Sequence, residues 1–174
     1  LEIEMLRDYV GNGGYLLATG LTGLYARPGQ QAPLATIEDL VGGKFISSLP
    51  DWDNHISLPA SADDLPPIST EIPPNWPFLV YGPAAVFELT TAQGYGHLYR
   101  PHRTLQQRKG EGNFSLPMSP DEAVGPAVLI NNYGQGKVIY LPCSPDAALA
   151  SEYRTVEPRL LLRNLIRYLQ PNPE

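Results

Sequence analysis

Residues 128–146, VLINNYGQGKVIYLPCSPD, end in Cys143-Ser144-Pro145-Asp146, which places a thiol, a hydroxyl and a carboxyl within four positions. A thiolate can attack a carbonyl carbon, and a neighbouring base and acid can manage the proton that the attack displaces. Val128 to Ile130 and Val138 to Leu141 are apolar, β-branched runs, and Tyr133-Gly134-Gln135-Gly136 between them supplies the glycines of a tight hairpin. The second run therefore delivers the tetrapeptide to the end of a buried strand, where open α/β sheets keep their chemistry. The competing reading is plain packing: a lone cysteine is usually a small buried hydrophobe, and no histidine stands near Cys143 in sequence.

Other residue groups invite similar weighing. His97 and His102 could ligate a metal with Asp51 or Asp53, but His-x4-His across a strand end lacks the regular spacing of zinc sites, so loop histidines are expected. Asp51-Trp52-Asp53-Asn54 and Asn75-Trp76 combine aromatic faces with hydrogen-bonding groups, as sugar sites do; tryptophans pinning a proline-rich loop to the core is the simpler account. Gly11-x-Gly13-Gly14 precedes its strand, whereas a dinucleotide loop must follow one. Thr19-Gly20-Leu21-Thr22-Gly23 does follow a strand, and its backbone N–H groups could face an anion. Arg100-Pro101-His102-Arg103 and Arg108-Lys109 form a local basic patch, in an acidic chain more often solvated than phosphate-binding.

Several elements must position these groups. Ile3, Leu6 and Val10 recur at helical spacing, widened by Met5 and Tyr9, and the glycines at 11, 13 and 14 end that helix. Tyr15 to Thr19 reads as a buried parallel strand. A short helix is expected over 36–41, with Thr36 as N-cap and Asp39 completing a capping box before Gly42-Gly43. Residues 47–77 are rich in proline and poor in periodicity, so an ordered but irregular surface insert is expected. Strands follow at 78–81, 85–89 and 95–99, then a long polar loop over 100–125, the hairpin, and a closing helix over 158–169 with Leu161, Leu162, Leu165 and Leu169 on one side.

This order predicts one α/β domain over 1–174 with an antiparallel strand extension. Only 15–19 and 138–141 qualify as central parallel strands, so further strands are expected upstream of Leu1. At 174 residues and 43% hydrophobic, the chain can bury a real core. Its 12 Lys and Arg against 18 Asp and Glu give a net charge of -6, which argues against nucleic acid or an anionic membrane as partner. No apolar run approaches the roughly 20 residues of a spanning helix. A single cysteine excludes an internal disulfide and a Cys-rich metal site, and is compatible with a reducing, cytoplasmic setting.

The segments MLRDYVGNGGYLLATGLTGLY, ATIEDLVGGKF, PFLVYGPAAVF and VLINNYGQGKVIYLPCSPD...EPRLLLRNLIRYL, in that order, resemble the class I glutamine amidotransferase-like domain of glycoside hydrolases. The similarity is to the β-galactosidase trimerisation-type domain of glycoside hydrolase family 42 and related glycosidases. The resemblance implies a flavodoxin-like three-layer sandwich whose leading βα units precede Leu1. It also implies an upstream catalytic TIM barrel in the same polypeptide acting on a carbohydrate, and a homo-oligomer such as a trimer.

The wider family keeps its nucleophilic cysteine in the turn that 19–23 matches and its base in a His-Pro-Glu that Ser144-Pro145-Asp146 matches. Leu21 carries no thiol and Ser144 cannot accept a proton near neutral pH as imidazole does. The resemblance therefore implies a domain without amidotransferase chemistry, metal or cofactor, in which His102 has a substrate-facing position. The alternatives are a thiol hydrolase using Cys143, or a carbohydrate-binding module built on Trp52 and Trp76.

Overall fold

The computed structural model describes residues 2–24, 37–60, 62, 65–150 and 155–170. Its elements run α1 (Glu2–Gly11), β1 (Tyr15–Thr19), α2 (Glu38–Val41), β2 (Gly43–Leu49), β3 (Asp53–Ser57), β4 (Phe78–Tyr81), β5 (Ala84–Leu89), β6 (Gln93–Tyr95), β7 (His97–Pro101), α3 (Leu105–Arg108), β8 (Pro120–Gly125), β9 (Val128–Tyr133), β10 (Gly136–Leu141), α4 (Pro145–Ala150) and α5 (Glu157–Leu169).

The central sheet has the order β1-β10-β9-β6. β1 runs parallel to β10, with Thr19 opposite Leu141, and β9 is antiparallel to β10. Two residues, Gly134 and Gln135, turn the β9–β10 hairpin. Gly134 takes φ 59, and a Cβ there would lie 2.7 Å from the Gly11 carbonyl oxygen, so the turn requires glycine.

The strand period of two divides this sheet between two cores. Leu129, Val138 and Tyr140 join Val10 of α1 and Leu40 and Val41 of α2. Val128, Ile130, Ile139 and Leu141 join Leu161 and Leu165 of α5 together with Ile56, Phe78, Val80 and Leu98. Burial on both faces explains the continuous apolar runs in the sequence, and the result is an α/β sandwich. Asn131, buried on β9, donates to the carbonyls of Asp39 (3.2 Å) and Leu40 (2.9 Å) and accepts from Thr91, which ties α2 to the sheet. A second antiparallel sheet, β4-β3-β7-β8, packs on the α5 side, and β2 pairs with β5.

The predicted first helix, the strands at 15–19, 78–81 and 85–89, the hairpin and the last helix are present, but β1, expected to be buried, has Tyr15 exposed and only Ala18 buried, because it has one strand neighbour, β10, among the described residues. Others differ for physical reasons. The stretch 47–77, expected to be irregular, contains β3, a five-residue strand buried throughout. β3 is polar, and Asp53, Asn54 and Ser57 on it find partners far along the chain, which period-based reading cannot register. The expected loop over 100–125 contains α3 and β8, and α3 carries a capping box of Thr104 and Gln107. The expected strand at 95–99 is two strands in different sheets, broken at Gly96 with φ 66, where a Cβ would meet the Ser57 carbonyl. Met5 and Tyr9 are exposed and do not widen the core stripe of α1. Thr36 lies outside the described residues, and Asp39 binds Arg7 bidentately (2.8 and 3.0 Å) where a capping box was expected.

Candidate functional site

Two places gather the candidate residues. The first is the corner where β1 and β10 end side by side. Because Thr19 pairs with Leu141, the turn after β1 and the turn after β10 must meet. Gly20 N–H sits 2.9 Å from the Leu141 carbonyl and 2.8 Å from the Cys143 carbonyl, while Tyr140 Oη donates to the Gly20 carbonyl at 2.5 Å. A Cβ at Gly20 would lie 2.3 Å from Ser144 Oγ. The two turns singled out in sequence are thus in direct contact.

The chemistry they could do is absent. Leu21 packs against the core containing Leu24, Ile37 and Tyr140. Ser144 is half-buried and Asp146 exposed in the first turn of α4. Cys143 is fully buried among Ile139, Leu141 and Leu161, and burial, reinforced by the charge of Asp146, pushes its thiol up to about 12. A thiol so placed is neither ionised nor reachable near neutral pH.

The second place is a cleft of about 500 Å³ beside the β4-β3-β7-β8 sheet, lined by Asp51, Arg100, Pro101, Arg103, Arg108, Asp121 and Glu122. Its wall is the segment 102–119, closed at the base by His102 N–H to the Ser119 carbonyl at 2.8 Å. Asp53, on β3, staples both ends of that segment. It accepts from Arg103 Nη1 at 2.9 Å, from Arg103 Nη2, and from the Met118 N–H at 2.8 Å. Arg103 also reaches Asp51 through Nε (3.2 Å) and Nη2 (2.8 Å), and the His102 carbonyl through Nη1. Every guanidinium N–H is engaged.

Burial alone would raise the Asp53 carboxyl, but hydrogen bonds from Arg103 and Met118 and the Arg103 charge hold it below the usual range. The buried Gln107 donates to the Asn113 carbonyl at 2.7 Å and shares the α3 capping box, which fixes the middle of the segment. Leu105, Phe114 and Leu116 stand exposed on it.

The remaining candidates are dispersed. Trp52 packs against Tyr81 in a tilted ring contact, centroids 5.2 Å apart, while Trp76 is 65% exposed. Asp53 pairs with Tyr81 and Ile56 with Phe78, so the tryptophans flank opposite ends of the β3–β4 pair. The six steps from Trp52 to Leu58, whose carbonyl holds the Asn75 N–H, put them roughly 20 Å apart at about 3.3 Å per residue. They form no common platform. His97 and His102 lie at opposite ends of β7; His102 Nδ1 is 3.8 Å from Asp121 Oδ2, and no group of three potential metal ligands occurs among the described residues.

His55 is buried on β3, its Nδ1 without a partner; burial lowers its pKa against the opposing influence of Asp53. Sequence reasoning missed the Asp53–Arg103–Met118 clasp, since its members lie 50 and 65 positions apart. The isolated Ile56 in a polar run was the only local signal of a strand there.

No protein-family model matches the chain, and no curated protein matches it. Solved structures do match in fold. The α-L-fucosidase isoenzyme 2 from Paenibacillus thiaminolyticus is 19% identical with TM-score 0.64, over 97% of this chain and 23% of that one. The cold-adapted β-galactosidase from Rahnella sp. R3 is 16% identical with TM-score 0.57, over 99% and 22%. The β-galactosidase from Bacillus circulans sp. alkalophilus is 17% identical with TM-score 0.54, over 96% and 20%. The chain thus has the fold of a domain-sized part of glycoside hydrolases and spans about a fifth of their length.

Proposed function

We propose that the chain is a non-catalytic, amidotransferase-like domain of a multidomain, β-galactosidase-like glycoside hydrolase, of the family 42 trimerisation type. In this reading it follows a TIM-barrel catalytic domain, helps to assemble the homo-oligomer, and borders the sugar-hydrolysing site of a neighbour. The single observation that carries the proposal is the corner at Gly20 and Ser144. Its backbone architecture is that of a site, two turns in contact at parallel strand ends, yet leucine and serine stand where the resemblance implies thiol and imidazole, and the neighbouring Cys143 is sealed. The likeness in fold to parts of three glycosidases supports the same reading. A thiol-hydrolase role would need Cys143 exposed and ionised, and a binding module on Trp52 and Trp76 would need them together.

The test is made on the intact parent polypeptide. Cys143→Ala should leave turnover of an aryl β-galactoside unchanged, and deletion of this domain should convert the oligomer to smaller species by sedimentation. Loss of turnover in a correctly folded Cys143→Ala protein, or an unchanged oligomer after deletion, overturns the proposal.

A further inference from the structure

We propose that the cleft beside segment 102–119 binds a sugar acid, with Arg108 holding its carboxylate and Asp121 accepting from its hydroxyls. Three arginines and three carboxylates line this cleft, but they are not equivalent. Arg103 spends all its donors on Asp51, Asp53 and the His102 carbonyl. Arg100 Nη2 is paired with Glu122 at 2.5 Å. Arg108 is different. Its Nε donates to the Arg103 carbonyl at 3.0 Å, which orients the guanidinium, while Nη1 and Nη2 meet no acceptor among the described residues. The Nη1–Nη2 edge is the fork that takes a carboxylate through two parallel hydrogen bonds.

Asp121 lines the same cleft, and its carboxylate accepts no hydrogen bond among the described residues; His102 Nδ1 is 3.8 Å away, beyond hydrogen-bond reach. Arg108 and Asp121 carry opposite charges in one cleft and do not pair with each other. A ligand satisfying both offers an anionic fork at one end and hydroxyl donors at the other, as a uronic acid does. A volume of about 500 Å³ accommodates one such ring with its substituent. The backbone under Arg108 is held by the Asp53 clasp and the α3 capping box, and its exposed side chain is tethered by the Nε bond to the Arg103 carbonyl. The choice of a sugar acid over other hydroxy acids rests on the proposed glycoside-hydrolase role.

The 174-residue chain is titrated by calorimetry with galacturonic acid, galactose and acetate at low ionic strength. Galacturonic acid should bind at least about tenfold more tightly than either of the others, and its affinity should fall with added salt. Arg108→Gln should weaken it about tenfold or more, Arg108→Lys by less, and Asp121→Asn several-fold, with unchanged circular dichroism. Galactose or acetate binding as well as galacturonic acid, no binding by galacturonic acid, or Arg108→Gln binding as the parent does, each overturns the inference. None of these outcomes alters the turnover and sedimentation results that test the role of the domain, so the two can fail separately.

Discussion

At the ends of β1 and β10, two turns meet in direct contact and the space between them is filled by packing. Beside β3 and β7, charged groups from distant parts of the chain are drawn inward and paired. The first region has the geometry of a site but a sealed thiol; the second has charged groups, and most of them are consumed in holding one segment in place. Site-like geometry and site-like composition are therefore separable in this molecule. What remains available to a ligand is the small remainder of the second region, Arg108 and Asp121.

The largest effect should come from the clasp. Asp53→Ala leaves Arg103 largely buried without its main partner and the Met118 N–H without an acceptor, which should cost about 3–5 kcal/mol in urea unfolding. It should also make segment 102–119 sensitive to limited proteolysis. A cost below about 1 kcal/mol would mean that the pairing is incidental. In the first region, Gly20→Ala places a Cβ at φ 64 against Ser144 Oγ and should cost roughly 1–2 kcal/mol. Adding Ser144→Ala should recover only the steric part.

A smaller effect is a pH dependence that arises within the second region, on β3. His55 has a folded pKa below its unfolded value of about 6.5, so the unfolded chain binds the proton first. Its contribution is complete above that value and is lost progressively as the pH falls below it. Asp53, depressed from about 3.8, contributes fully above that value and loses its contribution only at lower pH. Unfolding free energy should therefore decline between pH 7 and 5, and His55→Gln should flatten that decline. The smallest effect is the expected silence of Cys143. Iodoacetamide at pH 8 should not modify it in the native protein and should do so readily in urea, because burial holds the thiol up to about 12.

The legible and illegible parts divide along the same line. The hairpin, β1 and α5 could be read from residue types because their apolar runs are local and their partners generic. The meeting of the 19–23 turn with Ser144 could not be read, because it depends on the pairing of β1 with β10, strands far apart in the chain. β3 could not be read, because Asp53, Asn54, His55 and Ser57 are buried polar residues whose stabilisation comes from elsewhere. Asn54 takes the Asp51 and Gly82 carbonyls, Ser57 meets Tyr99, and Asp53 waits for Arg103. The basic patch read as solvated divides in the same way: Arg103 is locked in the clasp, whereas Arg108 is free at its Nη edge.

By itself, the sequence determined the α/β class, the hairpin and closing helix, and that the turns at Leu21 and Ser144 carry neither thiol nor imidazole at those positions. These depend on side-chain identity and short-range period, which are properties of neighbours along the chain. Only the tertiary structure decided that Cys143 is sealed, that Trp52 and Trp76 stand far apart, and that one buried carboxylate gathers Arg103 and Met118. Burial and pairing are set by residues brought together across 50 and more positions, and they alone determine which charges are spent and which remain for a ligand.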